Sequence, residues 1–282
     1  MRLVSFEANG HPRAALLRDG CIYDIWGDAS RGARVTDKTV EAILEGGLLG
    51  ELSPVEGDDG VPVEGVRLLA PLTRPGKIIC IGLNYRGHAE EQGLEAPETA
   101  TFFAKFRNAL ASPGATVQLP AWSDRVDYEA EVAFVIGDRC KDVAEADALD
   151  HVAGYMLLND LSARDYQRMT PQWMPGKTFD GSAPCGPALV TPDEAGPHDA
   201  IEIELSLNGE LMQKSSTADL VHSVPALIAY LSKLMTLEPG DIVSTGTPAG
   251  VGSMRDPKVW LKPGDEVVVS SPQLGVLETR LA

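Results

Sequence analysis

Residues 125–137, RVDYEAEVAFVIG, read as a buried β-strand, yet they carry Glu129 and Glu131 two positions apart. Residues two apart on a strand share a face. One continuous strand therefore puts Asp127, Glu129, Glu131 and Ala133 on one side and Val126, Tyr128, Ala130, Val132 and Phe134 on the other. Two readings fit that alternation: a half-buried strand whose acidic face meets water, which is the ordinary explanation of a bare ExE, or a carboxylate pair that holds a ligand. Apolar runs of the same kind recur along the chain, as RLLAPL, KIICIGLNY, TFFAKF, VAGYMLLND, PALVT, IEIELSLNG, DIVSTGTP and DEVVVSS, each bounded by Gly, Pro, Asn or Asp. Such runs predict strands in a β-rich α+β architecture.

Near the N-terminus MRLVSF, RAALLRDG and CIYDI predict short strands joined by NGHP and DG turns. VTDKTVEAILEGG predicts a short helix with Thr36 or Asp37 as N-cap and Gly46 or Gly47 as its stop. Residues 52–66, rich in Pro, Gly and acid, read as a loop or boundary. The clearest helical pattern is SVPALIAYLSKLMTLEPGD, with Ser223 as cap, Pro225 in the first turn and PG at the end. The coarse division is a small N-terminal β domain over residues 1–70 and a β-rich main domain over residues 71–282.

Composition narrows the function. With 24 Lys and Arg against 41 Asp and Glu the formal charge is −17. That charge repels phosphate backbones and anionic membrane surfaces, so neither nucleic acid nor membrane is an expected partner. No run approaches the roughly 20 apolar residues of a membrane span. The beginning MRLVSFEANGHPR has no signal-like apolar core, from which a cytoplasmic location is expected. Cys21, Cys80, Cys140 and Cys185 form no CxxC pair and read as small buried hydrophobes. An acidic protein also repels small anionic substrates, unless a metal or local cations reverse the field at the site.

Asp160 ends the run VAGYMLLND, and three carboxylates converging from two strands suit a hard divalent ion with oxygen ligands. A solvent-facing turn is the plainer alternative for Asp160. NYRGHAEEQG, residues 84–93, follows a strand-like run and puts Glu91 three residues after His88. In a helical turn the two share a face, the arrangement in which a carboxylate orients a general base. GKTFDGSAPCGP (176–187) and STGTPAGVG (244–252) are loops able to cradle an anion, with Lys177 adding a charge. Neither a P-loop nor a GxGxxG follows a strand, so a nucleotide cofactor has no support.

With these residues in hand, the chain over residues 70–282 resembles the fumarylacetoacetate hydrolase family. The motifs that carry the resemblance occur in order: IGLNYRGHAEE, FFAKF, DYEAEVAFVIG, GYMLLNDLSARDYQ, GKTFDGSAPCGP, LNGELMQ and DIVSTGTPAGVG. The resemblance implies a mixed β-sandwich roll, a homodimer, and substrates with a 2-oxo acid end. It implies Mg²⁺ or Mn²⁺ held by Glu129, Glu131 and Asp160, and a His88–Glu91 dyad on a segment that closes as a lid. Lys177 matches the family's lysine near the substrate, Arg164 and Gln167 its polar pair, and Thr247 a contact to the substrate carboxylate. Asn84 stands where the founding branch has a fourth carboxylate, a departure shared with the family's smaller, acylpyruvase-like and diene-dioate isomerase-like members.

The chemistry expected first is hydrolysis of an acylpyruvate-type 2,4-dioxo acid: His88, oriented by Glu91, activates water, Lys177 stabilises the developing charge, and pyruvate is released. Decarboxylation of oxaloacetate and keto–enol or double-bond isomerisation of hydroxymuconate-type diacids use the same residues and stand close behind. A module that only sequesters metal or oxo acids has no need of His88, Glu91 and Lys177. Selectivity for the far end of the substrate is expected from PETATFF, Arg107 and the loop at 167–176 with Trp173.

Overall fold

The computed structural model describes residues 1–26, 37–55 and 57–282. A 12-stranded mixed sheet forms the centre. Its main path runs from Val61–Pro62 through Cys21–Tyr23, His11–Arg18 and Arg2–Ala8 to Ala183–Val190. It continues through Val152–Asn159, Ala130–Ile136, Ile242–Ser244 and Ile78–Gly82 to Thr101–Lys105. A second sheet of five strands contains Glu202–Leu207, Glu210–Ser216, Glu266–Ser271, Gly275–Leu281 and Thr116–Val117. The N-terminal hairpins are not a separate layer, because Arg2 and Leu3 pair with Val190 and Leu189 of the central sheet.

The NG and DG turns form as the sequence predicts. Asn9 and Gly10 (φ 53° and 78°) and Asp19 and Gly20 (φ 49° and 75°) are left-handed in pairs, which matches the twist of a two-residue hairpin. The short helix is Val40–Glu45, capped by Thr39, whose hydroxyl accepts from Ala42 N–H at 3.2 Å. The cap is thus neither of the expected residues: Asp37 instead ion-pairs with Arg74, and Thr36 lies outside the described residues. Ser223 caps Val224–Leu234 as expected, but the helix stops well before Pro239–Gly240. Met235 is already extended, and Leu237 bridges to Cys140 instead of continuing the turn.

The stretch 125–137 is not one strand. Val126–Asp127 pairs with Ser162–Ala163, and a new strand, Ala130–Ile136, enters the central sheet after a break at Tyr128–Glu129. From Val126 to Ile136 neither face meets water: Val132, Phe134 and Ile136 belong to one buried cluster with residues of the five-stranded sheet and the helix Val224–Leu234, while Ala133 and Val135 belong to a second, which also contains Ile43 and Leu44 of the N-terminal helix. Burial on both faces explains why the run reads as nearly continuous apolar residues.

Strand directions place the functional segments together. Ile78–Gly82 and Ile242–Ser244 run parallel, and Ala130–Ile136 runs antiparallel to Ile242–Ser244 and to Val152–Asn159. The ends at Gly82, Ser244 and Asn159 and the beginnings at Ala130 and Ala183 therefore lie at one end of the sheet. Glu131 lies at the start of its strand there, and Glu129, Asp160, Lys177, Thr247 and the short helices Arg86–Glu91 and Arg164–Gln167 belong to the segments that leave or enter at that end.

Candidate active site

Glu129, Glu131 and Asp160 are each buried, and one ligand atom from each lies within 4.8 Å of the others. The backbone builds this convergence. Asn159 Oδ1 accepts the Glu129 N–H at 3.1 Å, and the Asp160 N–H donates to Glu129 O at 2.9 Å, tying the two strand ends together. Glu131 is held from the neighbouring strand, where the Ser244 hydroxyl and the Gly246 N–H both donate to its Oε2.

Cations occupy two sides of the cluster. Lys177 Nζ stands 2.7 Å from Glu129 and 2.6 Å from Asp160, and Arg164 reaches Glu129 at 2.6 Å and Asp127 at 2.8 Å. Lys105 Nζ lies 2.8 Å from Asp160 Oδ1 while donating to the Lys177 carbonyl and to Ser182 O and Oγ. Asp127 accepts the N–H groups of Gly252 and Ser253, so it anchors the loop over the site and belongs to the frame.

The two glutamates respond oppositely to this field. Burial opposes the charge on Glu129, but Lys177 and Arg164 outweigh it and hold the carboxyl far below its usual range. Burial, reinforced by Asp160 and Glu129, pushes Glu131 well above that range. Lys177 is the mirror case, because burial works against its ammonium and Asp160 and Glu129 more than restore it. Counted as ionised, four buried carboxylates face three buried cations, and the excess falls on Glu131, which no Lys or Arg touches among the described residues. Asp160 Oδ1 also accepts no well-directed hydrogen bond, despite Lys105 beside it. An all-oxygen cluster with an uncompensated charge and a spare acceptor fits a hard divalent cation, which also leaves the site net positive for an anionic substrate.

The helix Arg86–Glu91 follows the strand Ile78–Gly82 and brings His88 to the same cavity. His88 Nδ1 lies 2.7 Å from Glu91 Oε1, and Glu91 Oε2 accepts the Gly250 N–H at 2.9 Å. Gln92 Nε2 stands 2.8 Å from His88 Nε2. A carboxylate on one ring nitrogen and an amide N–H on the other select the neutral Nδ1–H form, leaving Nε2 as the basic atom. The cavity holds about 140 Å³ and is lined also by Glu129, Glu131, Lys177, Arg164, Gln167 and Thr247. Every expected site residue except Asp160 lines it directly or, as Glu91, orients one that does.

Within the site, Gln167 accepts from Arg164 at 3.1 Å, and the Thr247 hydroxyl accepts from Gln213 at 2.9 Å. Trp173 forms a wall: it meets Phe103 edge-on at 5.8 Å and lies so close to Gly82 that a Cβ there would come within 2.2 Å of its Cζ3. Arg107, expected near the far end of the substrate, lies elsewhere, in a groove with Arg13 and Lys38. Asn84 spends its amide on backbone, donating to His222 O and Thr245 O and accepting from His222 N–H, which makes it a clamp between loops. Sequence reasoning did not find Lys105 or Gln92, included Arg168 only as part of the loop at 167–176, and placed Asp127 on the strand face without a role. Of these, Lys105 carried a signal, a lone charge inside the apolar run TFFAKF.

Comparison with known proteins identifies the family and the fold. The C-terminal domain of fumarylacetoacetate hydrolase matches residues 77–282. The bovine protein named oxaloacetate tautomerase FAHD2B, mitochondrial, is 47% identical over 220 residues, covering 77% of this chain and 70% of its own. A solved fumarylacetoacetate hydrolase from psychrophilic Exiguobacterium antarcticum is 33% identical with a TM-score of 0.88, over 100% of this chain and 99% of that one. The 5-carboxymethyl-2-hydroxymuconate delta-isomerase from Mycobacterium smegmatis, also 33% identical, has a TM-score of 0.80 over the same shares. Among the described residues no helix is long and apolar enough to cross a membrane, and the bovine name lends the expected cytoplasmic location no support. On the family match and these relatives, the chain belongs to the fumarylacetoacetate hydrolase family.

Proposed function

We propose that this protein interconverts the keto and enol forms of a small 2-oxo acid by moving a proton between C3 and the 2-oxo oxygen. The observation that carries the reading is His88: it lines a cavity that also contains carboxylate ligands for a cation, Glu91 fixes its Nδ1 as a donor, and its Nε2, held here by the Gln92 amide, is the nitrogen left to accept a substrate proton once that amide is exchanged. The name oxaloacetate tautomerase, borne by a relative at 47% identity, supports this over the hydrolysis that the sequence alone placed first. The volume agrees. At roughly 10–15 Å³ for each water-sized position, about 140 Å³ suits a short-chain acid better than a long or aromatic one.

Glu129, Glu131 and Asp160 would hold Mg²⁺ or Mn²⁺, which supplies Lewis-acid stabilisation of negative charge on the 2-oxo oxygen. His88 Nε2 takes the proton from C3 as that C–H bond breaks and delivers it to the 2-oxo oxygen to complete the enol; in the reverse direction the proton leaves that oxygen and returns through His88 to C3. Glu91 keeps the ring in the productive tautomer and stabilises the imidazolium in between. Lys177 places an ammonium beside Glu129 and Asp160, where it donates to the enolate oxygen as charge develops. No water is consumed and no carbon–carbon bond breaks, so water activation is not required of the dyad.

The test follows the enol absorbance of oxaloacetate with protein and Mg²⁺ against Mg²⁺ alone. Wild type accelerates its decay, and His88→Ala loses about 10²–10⁴-fold of that rate while keeping the thermal shift that Mg²⁺ produces. Decay no faster than with Mg²⁺ alone rejects the reading. Cleavage of acetylpyruvate to acetate and pyruvate, lost in the same variant, puts hydrolysis in its place.

A further inference from the structure

Three cationic side chains line the catalytic cavity: Arg164, Arg168 and Lys177. Arg164 is charge-paired, with Asp127, Glu129 and Gln167 each within 3.1 Å of its guanidinium, although its Nη2 makes no well-directed hydrogen bond. Lys177 is committed to Glu129 and Asp160, at the end where the carboxylates converge. Arg168 alone has neither an ion pair nor a side-chain hydrogen bond among the described residues, and it is exposed at the mouth. It follows directly on the short helix Arg164–Gln167, four residues after Arg164, so the same turn that supplies two cavity residues carries it.

Arg168 also lines an outer groove that adjoins the cavity, together with Arg125, Lys258 and Trp260. Lys258 has no ion pair among the described residues, and Arg125 has only its neighbour Asp124 at 3.7 Å. The one acid in this groove, Asp165, already accepts from the Ser123 hydroxyl and the Tyr166 N–H. In a chain of net charge −17, this is a local reversal of the field placed at the entrance to the site. A monoanionic 2-oxo acid is served by the buried end of the cavity alone, and the unpaired guanidinium beyond it has a use when the substrate carries a second carboxylate. A planar guanidinium meets a carboxylate through two parallel hydrogen bonds.

We propose that Arg168 binds the distal carboxylate of the substrate, which makes this protein selective for dicarboxylic 2-oxo acids over monocarboxylic ones. Arg125 and Lys258 draw the dianion toward the cavity, and Arg168 fixes its far end. This rests on the keto–enol reading for the reaction, but the recognition step is measurable without it.

The test compares oxaloacetate with 2-oxobutanoate, in which a methyl group replaces the distal carboxylate, by following deuterium uptake at C3. In Arg168→Gln, KM for oxaloacetate rises about tenfold, the value of one charge-assisted hydrogen bond, while kcat and both constants for 2-oxobutanoate stay as in wild type. Arg168→Lys falls between, and the salt dependence of KM for oxaloacetate flattens in the Gln variant. An equal loss on both acids, or an unchanged KM for oxaloacetate, overturns the proposal. If wild type exchanges C3 hydrogen in neither acid, the keto–enol reading fails, and calorimetric titration of each acid still judges Arg168. A preference for oxaloacetate that vanishes in Arg168→Gln sustains the receptor role, and equal affinities in wild type reject it.

Discussion

Replacing Glu131 with Gln has opposite consequences with and without a divalent ion. The change keeps the side chain's shape, and the amide oxygen still accepts from Ser244 and Gly246. What it removes is a buried charge whose neighbours Glu129 and Asp160 lie within 4.8 Å, each repelling it, when ionised, by about 3.5 kcal/mol or more at an effective dielectric constant of about 20. Lys177 returns part of that, so we expect the metal-free variant to gain about 1–3 kcal/mol. At about 2 °C for each kcal/mol, its melting temperature rises by about 2–6 °C. In wild type, Mg²⁺ at a hundredfold excess over Kd adds about 2.7 kcal/mol, or about 5 °C. The variant, short of one of three ligands, gains little at the same concentration. Differential scanning calorimetry with EDTA and with Mg²⁺ reads both effects. The pH dependence separates charge from packing. Because the folded Glu131 titrates above its unfolded value of 4.5, its contribution to metal-free stability is full below that pH. It is then lost as pH rises through the folded value, a limb that the Gln variant lacks. A metal-free variant that melts below wild type, together with an undiminished Mg²⁺ shift, would refute both the electrostatic argument and the ligand assignment.

Asn84→Asp tests whether a fourth carboxylate can be restored here. The Asn84 amide donates to the carbonyls of His222 and Thr245, which the substitution leaves facing a carboxylate, at a cost of about 2–4 kcal/mol. We expect a melting temperature lower by about 4–8 °C and no gain in Mg²⁺ affinity; a tighter Mg²⁺ site would contradict the clamp role. Gly82→Ala would set a Cβ 2.2 Å from Trp173 Cζ3, displacing the indole wall at a cost of about 1–3 kcal/mol and raising KM. Thermal melts of Gly82→Ala, Trp173→Ala and the double variant check this, since the cost of the alanine must vanish once the indole is gone.

Much of the site was legible before any coordinates. Strand runs, the NG and DG turns and the Ser223 cap depend on residues a few positions apart, and local sterics and hydrogen bonding enforce them wherever they occur. The grouping of Glu129, Glu131 and Asp160 came from motif order, and the structure brings those three together. The pairing of His88 with Glu91 was readable from their spacing, because three residues is nearly one helical turn, whereas the helix that carries them came from the structure.

Burial and pairing were not readable. Alternation along residues 125–137 shows which side chains share a face but not what covers it, and here both faces are covered by elements far away in the chain. The same holds for charge. Arg164 and Lys177 look like free substrate-binding cations in the sequence, yet each is committed to carboxylates, Arg164 across 37 residues to Asp127 and Lys177 across 48 to Glu129. Arg168 looks like any surface arginine and becomes distinct only because the other cations in its cavity are paired. Short-range order is written in residue spacing, whereas the electrostatic state of a buried group depends on every charge within a few ångströms, and chain folding alone determines which charges those are.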